Sequence, residues 1–500
     1  MLFLLALIIG AVLFHELYWK RRRLPPGPLP LPLLGNILSM FRASNSLSVL
    51  HKWKEQYGNV YSYWLGTTPI VAVNDWASIK ETFIKDGDTY ADRAVFGKFS
   101  EMWRGGSFGI VETSGHVWQE QRRFALTTLR NFGLGKAAMQ QRVLAEAEYM
   151  LRVLEEDGKA GPIKITSYLD RTVGSVINLV IFGYRFDDEN YAEFYRLRQM
   201  FGEQEKATKN PAVMMMVFCM PLRHLPYFKD KYNLMWKIRD ELFGFINKQI
   251  AAHRKEIDYE SESSSDFCEA YLKEMHAHED EADSTFFEQQ LVNVCIDLWM
   301  AGMETTSATL AWTVLYMIRH PEIQAKAHAE LDGVIGSSRL IDMDDRIRLP
   351  YVNAIINETQ RCANIVIQNL LRRTSRDVII EGHAIPAGTT IAPQISMLLY
   401  DPELFPNPEQ FDPSRFLDSD GSLRKFEQFM PFSVGKRACP GEGLARMELY
   451  LVLANLLNRF EILPEDPANL PNAEQNLLSS GKPEPYNCVL RPRIVAGSSE

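Results

Sequence analysis

Cys439 stands in the segment Phe432-Ser-Val-Gly435-Lys-Arg437-Ala-Cys439-Pro440-Gly441, and an apolar run with helical spacing follows through Leu444, Ala445, Leu449 and Val452. The pattern predicts a cysteine just before a helix N-terminus, with Pro440 at the first helical position, where a missing N–H costs nothing. Free N–H groups and the helix dipole at that end favour a thiolate, the form of cysteine that binds metals. Gly435 and Gly441 permit tight turns and a close approach of the backbone to a flat cofactor. Arg437 is placed to pair with a propionate and Phe432 to shield a metal from water. The segment alone leaves a plainer alternative open, a buried free cysteine in a glycine-rich turn.

Three further spacings carry chemistry. Trp118 and Arg122 are separated by one helical turn, so both donors share a face. Glu358 and Arg361 sit at i, i+3, a spacing that on a surface helix gives a weak ion pair. In Ala301-Gly302-Met303-Glu304-Thr305-Thr306 the small residues let a helix run close to a flat group. The Thr305 hydroxyl can bond back to the Ala301 carbonyl and locally open the helix. Glu304 and Thr305 together make an acid–alcohol pair able to relay protons.

These residues need a large, mainly helical frame. The chain has 500 residues, 46% hydrophobic and 23% charged, the balance of a globular protein. A net charge of -9 argues against nucleic acid as a partner. The six cysteines are scattered without a C-x-x-C pair, which gives no zinc site and suits a reducing compartment. Helical periodicity marks 137–156, 184–203, 232–255, 284–319, 322–335, 350–363 and 443–459. Residues 60 to 74 predict a hairpin, and a second is expected from Val378 to Ala392 around Glu381-Gly382 and Pro386-Ala387-Gly388. Residues 256–266 and 276–284 are acidic and serine-rich, an exposed loop region. At the N-terminus, Leu2 to Phe14 is unbroken apolar sequence, and Lys20 to Arg23 is basic. Charges after the apolar run argue against a cleaved signal; the segment reads as a membrane anchor with the basic run in the cytosol. The expected organisation is an anchor over 1–19, a basic and proline-rich hinge over 20–36, and one domain over 37–500.

The cysteine segment is similar to the signature Phe-x-x-Gly-x-Arg-x-Cys-x-Gly of the cytochrome P-450 superfamily. Five fixed positions coincide by accident in a chain of this length about once in ten thousand cases. The resemblance extends over nearly the whole chain and is greatest to animal microsomal enzymes of the second family. It implies a mainly α fold with a small β portion behind a transmembrane helix, and haem b (iron protoporphyrin IX) ligated axially by the Cys439 thiolate. It further implies that Glu304 and Thr305 act in oxygen activation, and that Trp118, Arg122, Arg372 and Arg437 contact propionates. Phe432, Gly435 and Gly441 would shape the haem site. Arg415 would complete a buried structural set with Glu358 and Arg361. The chain departs from its relatives in having Leu371-Arg372 where proline-histidine is usual, and Ile367 in place of proline.

The implied activity is insertion of one atom of O2 into a small apolar substrate. Electrons would come from NADPH through a membrane-bound NADPH-cytochrome reductase, with cytochrome b5 as a second donor, at the endoplasmic reticulum membrane with the domain cytosolic. No G-x-G-x-x-G fingerprint follows a strand, so an external donor is required. Lys436, Arg123 and Arg130 form a basic patch for an acidic partner surface. The substrate pocket is expected to draw on Phe108, Ile110, Ala301, Ile365, Val366, Ile367, Leu477 and Leu478, residues that would otherwise be ordinary core. A non-catalytic haem sensor and a peroxide isomerase or dehydratase are the alternative functions.

Overall fold

The computed structural model describes residues 10–15, 18–32, 34–42, 46–94, 97–133, 137–218, 220–337, 339–474 and 481–493. The first part of the chain holds α1 (Ser46–Tyr57), β1 (Val60–Leu65), β2 (Thr68–Val73), β3 (Asp92–Arg93), α2 (Gly97–Arg104), α3 (Gly115–Asn131) and α4 (Ala137–Asp157). Then come α5 (Ile165–Phe182), α6 (Tyr191–Thr208), α7 (Pro211–Phe218), α8 (Pro226–Glu256), α9 (Phe267–Ala277), α10 (Glu288–Arg319), α11 (Pro321–Val334) and α12 (Pro350–Ala363). The last part holds β4 (Arg372–Arg373), β5 (Val378–Ile380), β6 (His383–Ile385), β7 (Thr390–Pro393), α13 (Glu442–Arg459), β8 (Phe460–Pro464) and β9 (Cys488–Pro492).

The axis of the molecule is α10. It is apolar on nearly every side, the mark of a helix enclosed by others. It stops at Arg319 because Pro321 can start a helix but cannot continue one. Helix α5 packs against it so closely that a Cβ at Gly302 would lie 2.4 Å from Ile177 Cδ1. The space left by that glycine is therefore filled by α5. On another side Phe201 of α6 stacks on Trp299, with centroids 4.7 Å apart and planes 4° from parallel. Such a pair contributes about 0.5–1.5 kcal/mol beyond the area it buries.

Several sequence expectations shift. Helix α6 begins at Tyr191, not 184, because local side-chain bonds hold the preceding turn: Asn190 Oδ1 accepts from Asp187 N (2.8 Å) and Asp187 Oδ1 from Glu189 N (3.0 Å). Helix α8 starts six residues before the expected 232, at Pro226. Helix α5, buried on most faces, is not among the helices expected from the sequence. The second hairpin is shorter than expected. Strands β5 and β6 turn at Glu381-Gly382, but after Pro386-Ala387-Gly388 the chain joins another sheet as β7, in the order β1-β2-β7-β4-β3. There β2 and β7 run parallel (Ile70↔Thr390) and β3 faces β4 (Arg93↔Arg372).

The proline-rich run is fastened rather than free. Proline carbonyls still accept, and Ser62 of the edge strand β1 donates its N–H to Pro26 O (2.9 Å) and its hydroxyl to Pro25 O (2.7 Å). Residues from Pro25 onward thus pack with the domain. Of the expected anchor, residues 1–9 and 16–17 lie outside the described residues, and 10–15 are helical and exposed. Among the described residues no helix is long and apolar enough to cross a membrane.

Glu358, Arg361 and Arg415 come together in the core. Arg361 Nε and Nη2 donate to the two Glu358 oxygens at 2.7 and 2.8 Å, Arg415 Nε reaches Oε1 at 3.3 Å, and Asp412 N adds a bond of 2.8 Å. Glu358 and Arg361 are fully buried. Removing one charge strands the other in a dry interior, a cost of about 3–5 kcal/mol. Glu358→Gln is therefore expected to lose about that much stability, measured as a lower urea midpoint with an unchanged slope. A loss under about 1 kcal/mol, typical of an exposed pair, would show that water reaches this site.

Candidate active site

The segment before α13 is a closed loop. Cys439 N–H donates to Phe432 O (2.9 Å) and Ala438 N–H to Gly435 O (3.0 Å). Gly435 has φ +65°, and a Cβ there would lie 1.8 Å from Phe83 O. The close approach that demands glycine is thus to the turn at Lys80–Lys85, not to a cofactor. Gly441 does face the cavity described below, and it caps α13, which begins at Glu442. Pro440 therefore precedes the cap instead of occupying the first helical position.

Cys439 differs from Cys268, Cys295, Cys362 and Cys488, which are buried, in exposing its side chain. That surface faces a cavity of about 300 Å³ between the cysteine loop and α10. Burial pushes the free thiol above its ordinary value, helped by Glu442. The N–H groups of Gly441 and Glu442 and the charge of Arg122 pull the other way without prevailing. The helix end alone does not hold an ionised thiolate here; a metal would.

One wall of the cavity is α10, through Asp297, Leu298, Ala301, Gly302, Thr305, Thr306 and Thr309; the opposite wall is Phe432, Cys439, Gly441, Leu444 and Ala445. Thr305 Oγ1 donates to Ala301 O at 2.7 Å, the back-bond expected from the sequence. The helix nevertheless continues unbroken through this point. Glu304 does not line the cavity. Its carboxylate is tied to Lys482 (2.8 Å) and Arg198 (3.3 Å), which both also hold Asp170.

At one end the cavity is cationic. Trp118, Arg93, Arg122 and Arg437 line it, and Arg372 lies beside them, under the cysteine loop, donating to Val434 O (2.7 Å) and Ser433 Oγ (3.1 Å). Arg437 donates to the carbonyls of Ala91 (2.6 Å), Ile110 (3.3 Å) and Thr113. Arg93 donates to Val111 O (3.0 Å) and Leu370 O (2.8 Å), and Arg122 to Ala438 O (2.5 Å). Among the described residues none of the four forms an ion pair. Burial, with mutual repulsion, pushes Arg93 down to about 10, Arg372 to about 9 and Arg437 to about 8. Trp118 Nε1 and the Nε and Nη1 of Arg372 are buried without a partner. A flat apolar group carrying two carboxylates and a thiolate-binding metal fits this slot: donors await the acids, apolar walls the ring, and a cysteine the metal.

The expected substrate wall is met in part. Ile110, Ala301, Ile365 and Val366 line the cavity; Phe108 does not, and packs edge-on to Phe287 at 5.3 Å. Ile367 packs against the cluster that holds Tyr61, Tyr63 and Leu371 and does not line the cavity. Leu477 and Leu478 lie outside the described residues. Three charged cavity residues escaped the sequence reading. Arg93 is brought in by the pairing of β3 with β4, which no local pattern shows. Asp297 accepts from Ile110 N (2.8 Å), Val111 N (2.9 Å) and Arg104 (2.8 Å), clamping the loop over the cavity. Its signal was an acid isolated in an apolar helix. Glu448 is an equally isolated acid, on α13; burial pushes it well above the carboxylate range, opposed only by a hydrogen bond with Thr306.

Residues 25–489 match the sequence profile of the family described as cytochrome P-450. The chain is similar to cytochrome P-450 2C3 of Oryctolagus cuniculus, 36% identical over 98% of this chain and 99% of the relative. It is also similar to cytochrome P-450 2A5 of Mus musculus, 35% identical over 91% of this chain and 92% of that one. Cytochrome P-450 2H2 of Gallus gallus is 34% identical over 95% and 94%. The chain belongs to the cytochrome P-450 family and is a haem-thiolate monooxygenase, an oxidoreductase that binds haem b and uses O2 with NADPH-derived electrons.

Proposed function

We propose that the enzyme inserts one oxygen atom of O2 into a small apolar organic substrate, and that Cys439 is the residue that would hold the haem iron. The observation that carries this is a cavity with the exposed Cys439 on one wall, Ala301 and Thr305 on the other, and unpaired guanidinium groups at one end. Haem bound there supplies oxygen activation and transfer. The protein supplies the rest. Trp118, Arg122, Arg372 and Arg437, joined by Arg93, bind the propionates, and Phe432 covers the cysteine side. Ile110, Ile365, Val366 and Leu370 give the substrate end its apolar surface.

Thr305 holds its hydroxyl toward the cavity while its proton rests on Ala301 O, so its lone pairs can receive and pass on a proton. Glu304 stands next to it with a carboxylate shared by two cations. For Glu304 to feed that proton it must exchange one of those partners for Thr305 or water, which makes the relay gated. The structural set of Glu358, Arg361 and Arg415 keeps the cysteine loop in place without touching substrate.

The electron donor in this reading is a membrane-bound NADPH-cytochrome reductase, with cytochrome b5 as a second donor. A surface groove behind the cysteine loop, lined by Arg123, Arg130 and Lys436, supports it, although Lys436 already reaches Asp88 at 3.4 Å. An anchor over residues 1–19 would place the domain on the cytosolic face of the endoplasmic reticulum. The attachment of Pro25 and Pro26 to β1 narrows the expected hinge to the basic residues before them. A second membrane contact is supported by exposed Met215, Leu225 and Tyr227, whereas Phe228 packs against the cluster around Met216 and Met235.

Cys439→Ser is expected to weaken haem retention and to abolish the red-shifted Soret band of the reduced carbon monoxide adduct, because a neutral hydroxyl cannot replace a thiolate. An unchanged spectrum would remove Cys439 from the iron. Thr305→Ala is expected to keep haem and ligand binding yet lower product formed per NADPH consumed. Equal coupling across several substrates would take Thr305 out of the mechanism. Deletion of residues 2–19 is expected to leave a haem-loaded protein that still floats partly with liposomes, and Leu225→Glu with Tyr227→Glu to reduce that flotation. Flotation indifferent to both substitutions would disprove the second contact.

A further inference from the structure

We infer that Arg372 sets the charge at the acid-binding end of the cavity, leaving more fixed positive charge there than two propionates neutralise and so raising the reduction potential of the bound haem. The inference rests on the haem reading above.

Four guanidinium groups meet at this end. Arg93 and Arg372 face each other across β3 and β4, and Arg122 and Arg437 line the cavity with Arg93. Every hydrogen bond described for the four goes to a neutral oxygen. The carboxylates near enough to act are Glu112 on Arg93 and Asp92 on Arg437. Glu112 is already paired with Arg104 at 3.1 Å, leaving little for Arg93. Four positive charges set against two propionates leave a surplus, which Asp92 and Glu112 offset only in part.

Their tasks differ. Arg437 joins the segments at Ala91, Ile110 and Thr113, Arg93 joins Val111 to Leu370, and Arg122 holds Ala438. Arg372 holds the cysteine loop through Nη2 alone, and its Nε and Nη1 have no partner though the residue is 1% exposed. Of the four, it is the one whose buried guanidinium nitrogens lack a partner among the described residues. Reducing the iron adds an electron to a poorly screened interior, where a fixed cation favours the reduced form more than it would in water. The consequence is an iron centre that accepts its first electron more readily before substrate arrives.

The test is the midpoint potential of the ferric–ferrous couple in the full-length, haem-loaded protein without substrate, for wild type, Arg372→Gln, Arg372→Lys and Arg372→His. The potential is expected to fall in Arg372→Gln and to be largely restored in Arg372→Lys. In Arg372→His it is expected to fall as pH rises through imidazole titration, over a range where wild type changes less. A wild-type potential in Arg372→Gln, or the same pH response in Arg372→His and wild type, overturns the inference. So does loss of haem from all three variants at normal expression, which would leave Arg372 a holder of the propionates and nothing more. Failure of the wild type itself to take up haem would instead overturn the functional reading on which this rests.

Discussion

A carboxylate with no access to water must be given its hydrogen bonds by the protein, and Glu358 receives four from N–H donors, on three different residues. Two come from Arg361 on its own helix, which fixes the rotamer of both side chains. The others come from Asp412 and Arg415, more than fifty residues on, and Arg361 also reaches Leu399 O at 3.0 Å. The charge pair as such contributes little net stability, since desolvation offsets attraction. Its effect is geometric: the irregular chain from 399 to 416 has one low-energy position against α12, and the cysteine loop starts from there. A loop without regular structure can be positioned in this way because the penalty for misplacing it is an unpaired buried charge.

The arginines at the other end of the same loop are the opposite case. There the protein brings cations together and withholds the anion. Neutral carbonyls hold the four guanidinium groups in place but leave their charges uncompensated, and the cost appears as depressed basicity. Structure retained at such a cost is structure prepared for a partner. The thiol of Cys439 tells the same story: it too sits above its ordinary value until a metal takes the proton's place. The two ends of the cavity are therefore each incomplete in the complementary sense, acid-seeking at one and metal-seeking at the other.

How much of this was legible depended on the range of the interaction. The cysteine loop, the Trp118–Arg122 face and the back-bond from Thr305 are all defined within a few residues, so local spacing and the family resemblance together located them. The start of α6 was misplaced because Asp187 and Asn190 bond their own backbone. Gly435 was identified for the wrong reason. The sequence shows that a glycine is needed, not that its neighbour is the carbonyl of Phe83, 352 positions earlier. Arg93 could not be found, since nothing local distinguishes it from an exposed arginine until β3 meets β4.

The same distinction separates what is fixed from what is open in the cavity. The wall that meets the cofactor is built from regular elements, α10 and the start of α13, and its glycines have no room for a side chain or face the cofactor directly. The wall left for a substrate comes from the segments at 110–111 and 364–370, which have no regular structure. Each is pinned at only a few points: Asp297 to the amides of Ile110 and Val111, Arg93 to Leu370 O, and Asn369 to Pro393 O at 3.0 Å. Those pins grip backbone, or in the case of Asn369 use a side chain to grip it, and so leave Ile110, Val366 and Leu370 free to differ in size without disturbing the frame. Ile367, one residue beyond Val366, already points into the sheet cluster. An apolar side chain can thus be exchanged at a cavity position for the cost of its own contacts, while Trp118, Arg122 and Thr305 remain where α3 and α10 put them.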